Sequence, residues 1–305
     1  MGGQLQNKLE NALNEARILI LGGQVLIGAA FRLTFMDGFD RLPLSSRGIH
    51  IGSLWIMLMG LGVLLAPASY HFIVENGANT GRFHELVTTI LEWTLLPFAL
   101  GLGVSTFLVG EITMSISAGA VVGAFIFSAA LSVWYVFSAL KAKRRPKPLP
   151  EQEPTKLTEK IKEALIELRM ILPGAQALLG FQVANTFTNS FDRLPRTSQW
   201  SHLGSLLCIA ISIIFLMAPA AFHRIAENGE DSEEFYELSG RMLLSAMFWL
   251  GLGIAADLWV IVRRTAQSES IAWVSSAATL IFFYAIWFGY STWKSRQNVR
   301  ERLAS

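Results

Sequence analysis

Charge is scarce in this chain and cysteine is nearly absent. Only 16% of its 305 residues are Asp, Glu, Lys or Arg, against about 25% in an ordinary soluble domain. The shortfall is uneven, because runs such as Leu54–Ala66 and Ala272–Trp287 hold no charged residue at all. A soluble helical protein needs a polar stripe on each helix, so that class is excluded. Cys208 is the one cysteine, which rules out an internal disulfide and any cysteine-built metal site. Also missing are a Gly-rich phosphate loop, a Gly-x-Ser-x-Gly elbow and a His-Glu-x-x-His pair. Each of these would place a phosphate, a nucleophile or a metal. We therefore expect no enzyme activity, no catalytic residue, no cofactor and no metal site. The first 17 residues are polar and mixed in charge, unlike a cleavable signal peptide. Gln6 stands where myristoylation needs Ser or Thr. The first span is expected to serve as its own insertion signal.

What is present is a repeat. Phe39-Asp40-Arg41-Leu42-Pro43 returns as Phe191-Asp192-Arg193-Leu194-Pro195, an offset of 152. At the same offset His50 meets His202, Ala66-Pro67-Ala68 meets Ala218-Pro219-Ala220, and His71 meets His223. Glu75-Asn76-Gly77 likewise meets Glu227-Asn228-Gly229. Without a gap, 23 of the 52 positions from Phe35 to Leu86 match their partners. Two copies of one unit follow: residues 1–140 and 160–305, joined by a basic, Pro-rich linker at 141–159.

An apolar stretch of about 20 residues crosses a hydrocarbon core of about 30 Å as a helix. Such stretches lie near Arg17–Met36, Ile49–Val74, Leu86–Val109 and Ser115–Leu140. The second copy has them near Arg169–Asn189, Ser201–Ile225, Leu238–Val262 and Ser270–Trp293. The fold class is all-α, a polytopic membrane protein with eight transmembrane helices. Four spans per copy is an even number, so the two four-helix repeats point the same way. With tails and linker in the cytoplasm, 18 of the 25 basic residues fall on that side. This is the side that Lys and Arg favour. The expected location is the bacterial inner membrane, multi-pass, with both termini cytoplasmic.

A transporter needs an ionisable or strongly polar group at membrane depth. Glu92 and Arg32 are the charged candidates. Glu92 reads as a proton or cation carboxylate, or as the partner of Arg32 in a structural ion pair. The pair is favoured, because the offset positions are Leu244 and Ala184 and both charges vanish together. Gln24 and Gln176 occupy equivalent places in the two first spans, and if those spans pack together their amides meet at a pseudo-axis. His71 and Glu75, like His223 and Glu227, stand four residues apart and share a helical face. Such a pair relays protons, or simply caps the helix end with His⁺; the cap is favoured. Asp257, six residues before Arg263, reads as half of an interfacial salt bridge. The Phe-Asp-Arg-Leu-Pro loop reads as a clamp, with Pro setting the turn. Gly119-x-x-x-Gly123 fits close helix approach.

Several of these elements stand in a familiar order. Glu167-x-Arg169, Pro173-Gly174-x-Gln176, Gly180-Phe181, Phe191-Asp192-x-Leu194, Ala218-Pro219 and His223-Arg224 resemble the DUF6328 family of bacterial integral membrane proteins. The first copy carries Glu15-x-Arg17, Gly22-x-Gln24, Phe39-Asp40-x-Leu42 and Ala66-Pro67. The resemblance implies a four-helix membrane unit, here in tandem, and many members carry an automatic sodium:proton antiporter label. It supplies no catalytic residues. Two functions stay open: a cation or proton transporter handling Na⁺ or H⁺, or a non-transporting structural or accessory protein. The lipid bilayer is the expected partner and nucleic acid is not. An alkaline phosphatase fused after Leu140 should be inactive in bacteria; an active fusion would overturn the orientation.

Overall fold

The structure, a computed structural model, describes residues 4–141, 155–227 and 230–304. Most of the linker, residues 142–154, and the second Asn-Gly lie outside the described residues. Eight helices are long and apolar enough to cross a membrane. In the first copy these are α1 (Gln4–Leu33), α2 (Leu44–Ile73), α3 (Gly81–Thr113) and α4, which starts at Ile116–Leu131. Helix α4 continues through a π-helical Ser132–Val136 into Phe137–Lys141. The second copy has α5 (Leu157–Thr186), α6 (Arg196–Ile225), α7 (Glu233–Ala266) and α8, which starts at Glu269–Tyr284. Helix α8 likewise passes through a π-helical Ala285–Tyr290 into Ser291–Ala304. No strand occurs among the described residues.

The helix starts follow from local chemistry. Thr80, Ser115, Ser232 and Ser268 each accept a backbone N–H three residues on, satisfying a donor the helix leaves open. Pro43 and Pro195 stand before α2 and α6, where a missing N–H costs nothing. After α2 the chain turns through Asn76 and Gly77, both at positive φ, which ends the helix. The first helix of each copy begins earlier than the apolar run suggests. The charged stretches Lys8–Arg17 and Lys160–Arg169 lie within α1 and α5. Hydropathy marks where the apolar surface starts, whereas nothing in either stretch breaks the backbone ladder.

Both copies stand the same way up. Glu10 and Lys162 occupy equivalent positions and form an ion pair of 3.0 Å across α1 and α5. We call this face, where α1 and α5 begin, the near side. On the far side Arg264 of α7 pairs with Asp40 at 3.0 Å, and Arg193 faces Asp37 and Asp40. The Phe-Asp-Arg-Leu-Pro loop is indeed a clamp: Phe39 and Leu42 are buried, and Arg47 Nε donates to the Leu42 carbonyl at 2.9 Å.

The two copies are not related by a simple two-fold axis. Helix α2 packs against α7 and α8 of the other copy, whereas the main neighbours of α6 are α5 and α7. The burial pattern explains this. Helix α6 buries one seam, Ser198, His202, Ser205, Ile209, Ser212, Leu216 and Pro219, alternating four and three residues apart as a helix–helix seam does. Helix α2 buries the matching seam and, in addition, Leu54, Leu58, Leu61 and Leu65, and Gly62 of the same helix faces Phe282 and Phe283 of the second copy. There Trp287 of α8 donates from Nε1 to the Gly62 carbonyl at 2.7 Å.

Glycines let α3 and α4 touch. Gly110 faces Gly119, and Gly103 faces Gly123, as the Gly-x-x-x-Gly spacing predicts. A β-carbon at Gly123 would stand 2.7 Å from the Gly103 carbonyl oxygen. Gly123→Leu should therefore cost about 1–3 kcal/mol and lower the melting temperature in detergent. Gly48→Ala, which enters open space, should not; equal effects would refute the packing.

Candidate functional site

Burying an ionisable side chain at membrane depth is costly unless it finds a partner. The structure buries two histidine–carboxylate groups, one toward each side. On the near side His71, close to the end of α2, reaches across to α5 of the other copy. Its Nδ1 donates to Glu167 Oε1 at 2.7 Å, with side-chain exposures of 3% for both residues. Its Nε2 stands 3.7 Å from Glu163 Oε2. The imidazole lies flat on Phe83, 4.4 Å between ring centres, which fixes the ring plane. Asn79, just past the turn after α2, donates from Nδ2 to Glu163 Oε1 at 2.9 Å. Glu163 and Glu167 are four residues apart on α5, so both carboxylates share one face.

Toward the far side, His202 of α6 is held between two acceptors. Nδ1 lies 2.7 Å from Asp257 Oδ1 on α7, and Nε2 donates to the Gln182 carbonyl at 3.1 Å. Both residues are essentially inaccessible. Two acceptors around one ring mean that the pair holds two protons: imidazolium beside carboxylate, or neutral imidazole beside carboxylic acid. His50 provides the comparison. It makes the equivalent bond to the Ala30 carbonyl at 3.1 Å and meets Phe39 edge-on as His202 meets Phe191. The position matching Asp257 is Ser105. One carboxylate thus turns a structural histidine into a proton-holding pair. Two hydrogen bonds lie beside the site: Gln182 Nε2 donates to Ser205 Oγ at 2.6 Å, and Ser205 donates to the Gly253 carbonyl at 2.7 Å.

The residues singled out from sequence are placed differently. Arg32 and Glu92 form no ion pair among the described residues. Arg32 Nη1 donates to Asn185 Oδ1 at 3.3 Å, while Glu92 faces outward and its carbonyl accepts from the Tyr135 hydroxyl. The joint loss of both charges in the second copy did not reflect contact. Gln24 is fully buried, but it presses on Gly174, and Gln176 is exposed; the two amides do not meet. His71 bonds Glu167 of the other copy, while α2 stops at Ile73 and Glu75 lies beyond the helix. His223 Nε2 faces Asp231 at 3.7 Å, and Glu227 accepts from Ser232 instead, since α6 stops at Ile225. Asp257 joins His202, not an interfacial arginine; Arg263 lies over Trp259 and near Glu269.

Glu163 and Glu167 were missed because they precede the apolar run and so fell outside the expected span. Asp257 carried the right signal, a carboxylate inside an apolar helix. Its partner was out of reach because it lies 55 residues away on α6. Two outward grooves, of about 270 and 350 Å³, are lined chiefly by apolar groups such as Leu100, Phe107 and Phe127, or Phe215, Phe248 and Trp249. Neither is lined by the paired histidines. No group of His, Cys, Asp and Glu among the described residues is arranged to hold a metal.

Breaking a buried pair leaves the other charge uncompensated, at about 3–5 kcal/mol. Asp257→Ala should destabilise by that order, and the added change His202→Ala should recover part of the loss. Strictly additive losses in a double-mutant cycle, read by thermal unfolding in detergent, would refute the coupling.

Comparison with known proteins adds one finding. The chain matches the family of unknown function DUF6328 twice, over residues 3–138 and 150–291. No curated protein and no solved structure matches. The two matched regions coincide with the two helical copies, and together they take in most of the sequence. The chain therefore belongs to the DUF6328 family, in tandem form.

Proposed function

We propose that this protein moves protons across the membrane, alone or coupled to a cation such as Na⁺, and is not an enzyme. The observation that carries the reading is the pair of buried histidine–carboxylate groups. His71 with Glu163 and Glu167 serves the near side, and His202 with Asp257 serves the far side. Ionisable residues inside a helical membrane protein mark ion or proton pathways more often than scaffolding. The ligand this reading fits is small, because the ionisable groups are sealed from solvent and line neither groove. The excess of Lys and Arg on the near side supports a reading with both termini in the cytoplasm and the bacterial inner membrane as the location.

A second reading, a structural or accessory role without transport, is favoured by a different observation. His71–Glu167, Glu10–Lys162 and Arg264–Asp40 all tie one copy to the other, as clamps would. Purified protein in liposomes, with a pH-sensitive dye inside and the membrane potential clamped, separates the two. Transport predicts a proton flux above protein-free liposomes that falls at least tenfold in both Glu167→Gln and Asp257→Asn. A wild-type flux equal to that of empty liposomes, with and without a Na⁺ gradient, supports the accessory role. Dependence on the Na⁺ gradient would identify coupling.

A further inference from the structure

The two edges of the His71 ring are held differently. Nδ1 stands 2.7 Å from Glu167 Oε1, and one proton on Nδ1 satisfies both atoms. On the other edge, Nε2 faces Glu163 Oε2 at 3.7 Å. Both of these atoms are buried, and among the described residues neither has a hydrogen-bond partner. With the Nδ1 proton alone, an imidazole lone pair would face a carboxylate oxygen, acceptor against acceptor. Buried acceptors set against each other repel, and each forfeits the bond that water would give it. One more proton, on either atom, turns the contact into donor and acceptor.

The surroundings favour that second proton. Parallel stacking on Phe83, with 5° between the planes, and the Nδ1 bond together keep Nε2 beside Glu163. Asn79 Nδ2 donates to Glu163 Oε1 at 2.9 Å, so Oε2 is the oxygen left to take a proton. The titratable groups around His71 and Glu163 are Glu75 from the turn after α2, Glu159 and Glu167 from α5, and Tyr236 from α7. All are acids, and from α3 the ring meets only the uncharged Phe83. Among the described residues, Glu163 forms an ion pair with His71 alone. Without the second proton, the group would bury two carboxylates and no cation, an arrangement that low-dielectric surroundings penalise. The positions matching Glu163 and Glu167 on α1 are Asn11 and Glu15. The second carboxyl is thus a feature of the second copy, as Asp257 is.

We infer that Glu163 is the near-side loading residue, and that the exchangeable proton of this group lies between Glu163 Oε2 and His71 Nε2. Glu167 instead accepts the Nδ1 proton and fixes the ring's tautomer, as the bond at one nitrogen does for the other. The loading role rests on the proton-transport reading; the position of the proton does not. In the loaded state Glu163 is a carboxylic acid and His71 is neutral. Transfer breaks the Oε2–H bond and forms the Nε2–H bond, leaving a carboxylate beside an imidazolium, with the net charge of the group unchanged. The two atoms must first close to about 2.8 Å, a movement of roughly 1 Å.

The full chain in liposomes tests this with ¹⁵N solid-state NMR of the His71 ring, thermal unfolding and proton flux. As pH is varied, Nε2 should gain and lose its proton while Nδ1 stays protonated. In Glu163→Gln, Nε2 should stay unprotonated over the same range and flux should fall at least tenfold. This variant should melt no lower than wild type, because the new amide can donate to Nε2 and accept from Asn79. Wild-type titration of Nε2 in Glu163→Gln overturns the assignment, as does titration at Nδ1 instead. A marked loss of stability in Glu163→Gln also overturns it, since that identifies Glu163 as a permanent carboxylate held by imidazolium. Titration of Nε2 that needs Glu163, without any wild-type flux, overturns the transport reading and leaves the proton site standing.

Discussion

An ionisable group buried among apolar helices must find its opposite inside the protein, and that constraint joins the two copies. His71 stands near the end of α2, and Glu75 lies beyond that helix. Its partners come from α5 of the other copy, which draws α2 toward the second repeat. That approach lets the extra leucine face of α2 meet α7 and α8. Breaking such a pair by removing one partner costs about 3–5 kcal/mol, comparable to a domain's whole margin of stability of about 5–15 kcal/mol. The electrostatic demand and the apolar packing therefore point to the same arrangement.

Duplication left two copies that began alike and have been used differently. His50 and His202 keep the same ring contact and the same backbone bond, so the histidine itself belongs to the scaffold of the unit. Only the second copy adds Asp257. In the same way His71 has two carboxylates from α5, while α1 offers Asn11 and Glu15 at the matching positions, both exposed. Gln24 is sealed against Gly174 while Gln176 looks outward. The polar groups are thus unevenly shared: α2 of one copy and α5 of the other hold His71 with its carboxylates, while α6 and α7 of the second copy hold His202 with Asp257.

Much of the architecture was legible in the sequence, because the signals involved are local or periodic. Eight apolar runs, the offset of 152, Pro43 before α2 and Gly119-x-x-x-Gly123 on α4 each reflect chemistry within a few residues. The candidate site was less legible, for two physical reasons. Hydropathy locates apolar surface, so Glu163 and Glu167 fell outside the expected span, whereas the helix begins at Leu157. Partner choice depends on how helices from distant parts of the chain are packed. Arg32 and Glu92 looked paired because they are lost together, yet Arg32 reaches Asn185, 153 residues away. Asp257 read as half of an interfacial salt bridge, and nothing in the sequence points from it to His202.

The central claim is that two buried histidine–carboxylate groups exchange protons with opposite sides of the membrane. The most direct measurement is ¹⁵N NMR of His71 and His202 in liposomes, with pH changed on one side at a time. The account predicts that each ring changes protonation in response to its own side first, His71 to the near side and His202 to the far side. Two rings whose resonances stay fixed, or that respond to the same side together, would contradict it.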